Sequence, residues 1–187
     1  MLEYKNKRYA RVTDILGSHY VYKDILDNVL EKKAKLGRNV HQAIDDYLQG
    51  KIPMLKKKEQ PYFTSFRLWK EALNPQYIHR EKRLYDDELR ITGQIDAAMM
   101  IQGEKLPMIV DYKCVPKKMI TWRYQGHFYH LLATRNKYRI GNRFMFVFLK
   151  DDGSMAHTTS FITHDIITEN CIQMAKKFWK DIPKNLN

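Results

Sequence analysis

Residues 91–113 read ITGQIDAAMMIQGEKLPMIVDYK, and each of the two strand-like apolar runs in this stretch carries a carboxylate. Asp96 lies inside the first run, after Gly93-Gln-Ile, and Asp111 follows Met108-Ile-Val in the second run. Lys113 follows Asp111 by two residues, so both side chains project from the same face of a strand. Charged groups at such apolar positions are costly to bury unless they pair with each other or bind a metal ion.

If the two strands are neighbours, their connection brings Asp96 and Asp111 together. Like charges that close raise each other's pKa unless a divalent cation lies between them. Hard oxygen ligands of this kind favour Mg²⁺ or Mn²⁺ over zinc. An ordinary salt bridge of Lys113 with either aspartate is the alternative, because an isolated Asp-x-Lys triplet is a weak signal.

Composition narrows the partner class. The chain has 187 residues, with 33 Lys and Arg against 21 Asp and Glu, which gives a net charge of +12. This excess favours a polyanionic partner, with nucleic acid first and an anionic membrane second. A generally basic proteome is the alternative explanation of the charge.

Two features bear on the compartment. No apolar run approaches the length of a membrane span, and the first residues lack the apolar core of a secretion signal, so we expect no membrane. Cys114 and Cys171 are the two cysteines, which supply neither a disulfide framework nor a four-cysteine metal site. A reducing, cytoplasmic setting is therefore expected.

Hydrophobic periodicity predicts helices, then three strands, a helix, a hairpin of two strands around Asp152-Gly153, and a closing helix. This order predicts an α/β domain whose mixed central sheet has helices on both faces. The segments, in chain order, are helical 13–50 and 61–73, strands 77–86, 90–102 and 106–114, helical 119–135, strands 142–150 and 154–163, and helical 164–180.

Further chemistry-bearing positions lie on these elements. Gly37 and His41 are one turn apart on a predicted helix, and Gln125 and Tyr129 are one turn apart on another. Glu81 lies on the first of the three strands. Taken singly, each of these positions is most simply a surface or packing residue.

Together they form an ordered series. Five short motifs follow one another along the chain: Gly37…His41, Glu81, Gly93-x-x-Asp96, Asp111-x-Lys113 and Gln125-x-x-x-Tyr129. The series resembles the PD-(D/E)XK nuclease superfamily, and within it the RecB-like branch with its phage-type exonucleases. The resemblance runs from about residue 10 to residue 150. It implies a restriction-endonuclease-like core, in which a mixed central sheet is flanked by helices, with an N-terminal helical segment.

On this resemblance residues 1–187 are one nuclease domain. It consists of a mainly helical N-terminal segment, residues 1–75, a catalytic sheet and helix, residues 76–163, and a C-terminal helix, residues 164–187.

The resemblance implies a ligand set for one or two Mg²⁺ or Mn²⁺ ions. Asp96 and Asp111 correspond to the metal-binding acids, and His41 completes the metal shell in the RecB-like branch. The backbone carbonyl of Tyr112 is expected as a further ligand. Lys113 corresponds to the lysine that lies beside the attacking water.

The resemblance also implies supporting residues. Gln125 and Tyr129 are expected to support the site and the nearby DNA backbone, and Glu81 matches a recurrent acidic position of the catalytic set. The basic residues that follow the site are expected to bind flanking DNA phosphates without sequence preference. They are Lys117, Lys118 and Arg123.

The implied function is hydrolysis of DNA by a divalent-metal-dependent nuclease, with an exonuclease in recombination, repair or phage DNA processing as the first interpretation. A structure-specific endonuclease and a DNA-binding module that no longer cuts are the alternatives. Expected partners are DNA and a recombination protein, such as a single-strand annealing protein or a separate helicase; an oligomer is compatible with this class. Neither an iron–sulfur cluster nor ATP is expected, since the chain lacks the cysteines of the former and any GxxxxGK[ST] loop.

Overall fold

The structure, a computed structural model, describes residues 1–20, 27–114 and 120–182. Within these ranges it contains a mixed sheet and five helices, which confirms the expected α/β class. The strands are β1 (Leu2–Tyr4), β2 (Lys7–Arg11), β3 (Gln76–Asp86), β4 (Ile91–Met100), β5 (Met108–Lys113), β6 (Arg143–Phe148) and β7 (His157–Ile162). The helices are α1 (Val12–His19), α2 (Asp27–Leu48), α3 (Gln60–Leu73), α4 (Ile120–Arg135) and α5 (Asp165–Asp181).

The strands follow the order β1-β2-β4-β5-β6-β7, and β3 also pairs with β4. Two neighbouring pairs are parallel, β2 with β4 and β5 with β6, while the remaining pairs are antiparallel. The strands that carry Asp96 and Asp111 are neighbours, which meets the condition for bringing the two aspartates together, and the predicted hairpin of the last two strands is confirmed.

One edge of β4 has a break that matters for the site. β3 pairs with β4 from Ile91 to Met100, so β2 and β5 must share the opposite edge. On that edge β2 pairs at Ile91 and Thr92, whereas β5 pairs only from Ala97 onward. Among the described residues, no strand pairs with positions 93–96 on this edge. The backbone hydrogen-bond ladder on this edge is therefore interrupted beside Asp96.

Helices cover both faces of the sheet, as the element order predicts. α1, α4 and α5 pack on one face, and α2 and α3 pack on the other. Burying a phenylalanine stabilises a fold by about 1.5–3 kcal/mol, and phenylalanines are prominent in both cores. The fully buried ones are Phe66, Phe128, Phe144, Phe146 and Phe148.

Local sequence explains where α3 begins and ends. Pro61 stands in the first turn, where a helix needs no backbone N–H from it. Asn74 ends the helix in the left-handed region, with φ 43°, and its N–H bonds the carbonyl of Lys70. Phe66 and Trp69 lie on the buried face in between.

β1 and β2 differ from the sequence-based expectation, which begins the chain with helices. The turn between them uses Lys5 and Asn6, with φ of 49° and 58°, instead of the usual Asn-Gly or Gly pair. Tyr9 on β2 is buried and packs edge-on against Tyr4 and Tyr85. This hairpin is therefore held by long-range aromatic packing that no local pattern indicates.

In the described ranges, no helix has both the length and the apolar character needed to span a membrane.

Gly126 on α4 tests how closely that helix lies on the sheet, and Gly17 on α1 serves as the control. A Cβ atom at Gly126 would overlap the ring of Phe144 on β6, whereas one at Gly17 on α1 would meet no described atom within 4 Å. We expect Gly126→Ala to lower the free energy of unfolding by about 1–3 kcal/mol through overpacking. Gly17→Ala should raise it by about 1 kcal/mol because alanine favours a helix. Urea unfolding followed by circular dichroism measures both, and a shift of the same sign in both variants would contradict this packing.

Candidate active site

The candidate site begins at the break in the edge of β4. Asp96 Oδ2 accepts a hydrogen bond of 2.7 Å from the backbone N–H of Tyr112 on β5. Ala97 and Val110 form the adjacent pair of the β4–β5 ladder, so the register places Asp111 opposite Asp96 one position further. The side chain of Asp96 thus takes over where the backbone ladder ends.

His41 reaches the same place from α2. Its Nδ1 lies 3.3 Å from Asp96 Oδ1, and its Nε2 lies 3.0 Å from the carbonyl oxygen of Tyr112. Both neighbours are acceptors, so the ring satisfies them only as the doubly protonated imidazolium. Burial acts to lower the pKa of His41, but the charge of Asp96, aided by Asp111 and Glu81, raises it to about 9. The imidazolium therefore occupies a position suited to a cation.

Glu81 joins the group from β3 through an uncommon backbone conformation. Its φ is 44°, a left-handed value that a non-glycine residue seldom adopts, and such strain clusters at functional positions. The β3–β4 register places Glu81 opposite Asp96. Glu81 Oε2 accepts a hydrogen bond from Gln94 Nε2. Burial, with the charge of Asp96, raises the pKa of Glu81 to about 7.

These side chains form a candidate cation site. One ligand atom from each of His41, Glu81 and Asp96 lies within 4.8 Å of the other two. The two carboxylates suit Mg²⁺ or Mn²⁺, and the imidazole, a ligand of transition metals, favours Mn²⁺ of the two. Burial beside Asp96 raises the pKa of Glu81, and a divalent cation between the two carboxylates would offset their repulsion. The donor set therefore fits the expected metal.

The grouping differs in one respect from the ligand set implied by the resemblance. Glu81, expected only in the catalytic set, lies with His41 and Asp96, whereas Asp111 is engaged by Lys113. Lys113 Nζ is 2.5 Å from Asp111 Oδ2, an oxygen that is buried and has no hydrogen bond of good geometry among the described residues. The role of Asp111 as a ligand stays a prediction that requires Lys113 to release it.

Gln125 and Tyr129 on α4 complete the network around Lys113. Lys113 Nζ donates a hydrogen bond of 2.9 Å to Gln125 Oε1. Gln125 Nε2 donates to the Tyr129 hydroxyl at 2.7 Å and approaches Asp111 Oδ1 at 3.4 Å. The amide of Gln125 thereby ties the lysine, the aspartate and the tyrosine to one helix.

The two aspartates have different electrostatic environments. Burial raises the pKa of Asp111 to about 6, and Asp96 adds to this while Lys113 opposes it. Burial acts on Asp96 in the same direction, but the His41 imidazolium outweighs it, and the pKa of Asp96 is lowered. The expectation that each aspartate raises the other's pKa therefore holds for Asp111 alone.

Two of the motifs pack directly on each other. A Cβ atom at Gly93 would lie 2.8 Å from Tyr129 Cε1 and 2.9 Å from Leu132 Cδ1, so a side chain there would push α4 away. Gly93 is thus a packing requirement for placing Tyr129 near Asp96. Gly37 differs, because a Cβ atom there would have no described atom within 4 Å.

The predicted DNA-binding residues are only partly described. Arg123 is exposed on α4, two residues before Gln125. Lys117 and Lys118 lie outside the described residues. Binding of DNA by these three residues stays a prediction.

The paired histidines on α4 serve packing. His127 Nδ1 lies 2.7 Å from the carbonyl oxygen of Arg123, and His127 Nε2 accepts a hydrogen bond of 3.1 Å from the backbone N–H of His164. His130 Nε2 lies 3.1 Å from the carbonyl oxygen of Gly141. Both rings are thus held by backbone groups of α4 and of neighbouring segments.

Two residues at the site are not marked by the sequence motifs. Gln94 links Glu81 to Arg83, whose guanidinium donates to the Gln94 side-chain oxygen. The centre of the Trp122 ring lies 5.3 Å from Lys113 Nζ. Only Trp122 had a detectable signal, since it precedes Gln125 by three residues and so shares its helix face.

Comparison with solved structures bears on the fold. The structure matches the crystal structure of an alkaline exonuclease, LHK-Exo, from Laribacter hongkongensis, with a TM-score of 0.53 and 9% sequence identity. The match covers 92% of this chain and 87% of that one. The chain shares the fold of this exonuclease. The alignment pairs few identical residues, so it says nothing of individual site residues.

Two other crystal structures match with lower scores. LHK-Exo in complex with dAMP gives a TM-score of 0.43 at 11% identity, over 92% of this chain and 87% of that one. The protein SSO0001 gives 0.49 at 14% identity, over 95% of this chain and 78% of that one. No protein-family model matches the chain, and no curated protein matches its sequence.

The protonated state of His41 predicts that metal binding depends on pH. A metal ligand must be the neutral imidazole, so at pH values below its pKa of about 9 His41 has to lose a proton when a cation binds. We expect the affinity for Mn²⁺ to rise about tenfold per pH unit from about pH 7 and to level off near pH 9. Isothermal titration calorimetry of the metal-free protein measures this dependence. His41→Gln should bind more weakly and lose most of the slope; an unchanged slope in that variant would assign the proton to another group.

Proposed function

We propose that this protein is a divalent-metal-dependent nuclease that hydrolyses phosphodiester bonds in DNA, of the PD-(D/E)XK class and its RecB-like branch. The observation that carries the proposal is the cluster of His41, Glu81 and Asp96 beside the buried Asp111–Lys113 pair. The nuclease fold and the net charge of +12 support it.

His41, Glu81 and Asp96 would hold Mg²⁺ or Mn²⁺, with Asp111 and the carbonyl oxygen of Tyr112 as further ligands for one or two ions. When bound, such an ion would offset the negative charge of the phosphate and lower the pKa of a bound water. The two aspartates are buried and fixed by the strands that carry them.

Lys113 supplies the fixed positive charge of the reaction. Its ammonium can donate hydrogen bonds to the attacking water and to a phosphate oxygen, where negative charge develops as the new P–O bond forms. Gln125 Oε1 keeps the ammonium in place by accepting a hydrogen bond from it, and Tyr129 orients the Gln125 amide by accepting one from its Nε2.

Within this class we favour an exonuclease that acts in recombination, repair or phage DNA processing in the cytoplasm. It would act with a single-strand annealing protein or a separate helicase. The support is the ordered motif series, which resembles the phage-type members, together with the fold shared with an alkaline exonuclease. A structure-specific endonuclease is the alternative, and a comparison of linear with closed circular DNA distinguishes the two.

The proposal predicts metal-dependent loss of end-labelled linear DNA with Mg²⁺ or Mn²⁺ and none with EDTA. Lys113→Met keeps the length of the side chain but removes its charge, and we expect it to lower the rate by about 10²- to 10³-fold. Lys180→Met changes an exposed lysine on α5 and should retain the rate. Gel electrophoresis of single-stranded, double-stranded and closed circular DNA measures these rates.

Each outcome of that experiment has a distinct meaning. Degradation of linear but not circular DNA supports the exonuclease, whereas cutting of the circle moves the assignment to an endonuclease. Binding of DNA without cutting under either metal would leave a DNA-binding module on a nuclease fold. Equal rates for Lys113→Met and Lys180→Met would remove the catalytic role of Lys113.

Arg123 provides a separate test of the DNA-binding surface. If its exposed guanidinium contacts a phosphate, Arg123→Ala should weaken binding of every sequence alike and reduce the slope of log affinity against log salt by about one. Arg67→Ala is the control, because Arg67 is already paired with Glu71 at 3.3 Å. Fluorescence polarisation with a labelled duplex in EDTA measures both slopes, and equal slopes for the two variants would place Arg123 outside the interface.

A further inference from the structure

Lys113 is surrounded by two kinds of partner. Asp111 Oδ2 and Gln125 Oε1 contact its ammonium at 2.5 and 2.9 Å. Two aromatic rings also face it, with Nζ 5.3 Å from the centre of the Trp122 ring and 5.4 Å from the centre of the Phe146 ring. Both separations lie within the range of cation–π attraction, and little solvent is present to weaken it because the side chain of Lys113 is 13% exposed.

The core of the protein fixes these two rings. Phe146 lies on β6 in register with Asp111 and is fully buried. Trp122 lies on α4 and is 9% exposed; its ring is 6.1 Å from that of Phe146 and 5.6 Å from that of Phe148. Neither ring can turn away without disturbing the packing of α4 on the sheet.

Trp122 shares a helix face with the residues that hold Lys113. It stands three residues before Gln125 and seven before Tyr129, which is the spacing of one stripe on an α-helix. One face of α4 therefore presents to Lys113 an aromatic ring and an amide oxygen. The hydrogen bond from Lys113 fixes the direction of the ammonium, and the ring supports it from the side.

This arrangement gains importance if Asp111 binds a cation. Lys113 then loses its nearest negative partner, and its four-carbon side chain would be free to sample other rotamers. Gln125, Trp122 and Phe146 do not take part in the cation cluster, so they retain the ammonium.

We propose that Trp122 is a positioning residue for Lys113, whose indole face, together with Phe146, holds the ammonium at the site by cation–π attraction while Asp111 serves another partner. The assignment rests on the proposed function, because it concerns the lysine of that same site. Trp122 touches no reacting atom and acts only through Lys113.

Cleavage kinetics with matched tryptophan variants test the proposal. Trp122→Leu should lower kcat about tenfold and leave KM nearly unchanged, since a cation–π contact is worth about one such factor in rate. Trp122→Phe keeps an aromatic face and should recover most of the loss. Trp179→Leu is the control: Trp179 is also 9% exposed and also lies under a cation, with the Arg90 guanidinium 4.0 Å from its ring.

The control separates positioning from stability. Trp179→Leu should lower the melting temperature about as much as Trp122→Leu does, yet retain kcat. Equal losses of kcat in the two leucine variants, or no recovery in Trp122→Phe, would overturn the proposal.

A measurement that needs no cleavage keeps the two proposals distinguishable. Urea unfolding of the metal-free protein with Lys113→Met, Trp122→Leu and both substitutions forms a double-mutant cycle. We expect the double variant to lose less stability than the sum of the two single losses, because each single variant already removes the contact. Strictly additive losses overturn the role of Trp122 whether or not the protein cuts DNA. Coupled losses in a protein that cuts no DNA would retain the contact and reject the proposed function alone.

Discussion

The ion pair between the buried Asp96 and the half-buried His41 is the constraint on which the site depends. A carboxylate in a sheet interior is costly unless its oxygens are paired, and Asp96 has partners on both: the backbone N–H of Tyr112 and the imidazolium of His41. His41 in turn bonds the carbonyl of Tyr112. These contacts fasten α2 to the junction of β4 and β5, so the packing of that helix and the geometry of the site have a common cause.

The charges at this junction explain its chemistry. Two carboxylates, Glu81 and Asp111, have raised pKa values, while that of Asp96 is lowered because it has the imidazolium as its partner. Environments that push the pKa values of neighbouring acids apart are typical of active sites. A protonated His41 and a paired Lys113 balance the charge of these carboxylates in the absence of a divalent ion. For such an ion to bind, His41 would lose its proton and Lys113 would release Asp111.

Close packing of α4 on the sheet brings its polar side chains to this junction. Glycine at position 93 lets Tyr129 approach β4, and glycine at position 126 lets α4 lie against Phe144. The face of α4 that this approach presents to Lys113 includes Gln125. The two glycines therefore contribute to the site as the polar residues do, because the hydrogen bonds around Lys113 can form only if α4 lies this close to the sheet.

The sequence by itself determined the α/β class and the order of elements from α2 to α5, because hydrophobic periodicity is a local property of the chain. Its motif series, through the resemblance to a nuclease superfamily, also marked polar residues that the structure places near one another. Tertiary structure alone decided the rest. The first hairpin depends on Tyr9 packing against the distant Tyr85. The place of Glu81 beside His41 depends on the left-handed backbone conformation of Glu81 within β3. Which carboxylate Lys113 contacts was equally open, since in a buried site the partner of a charge is chosen by the strands and helices that surround it.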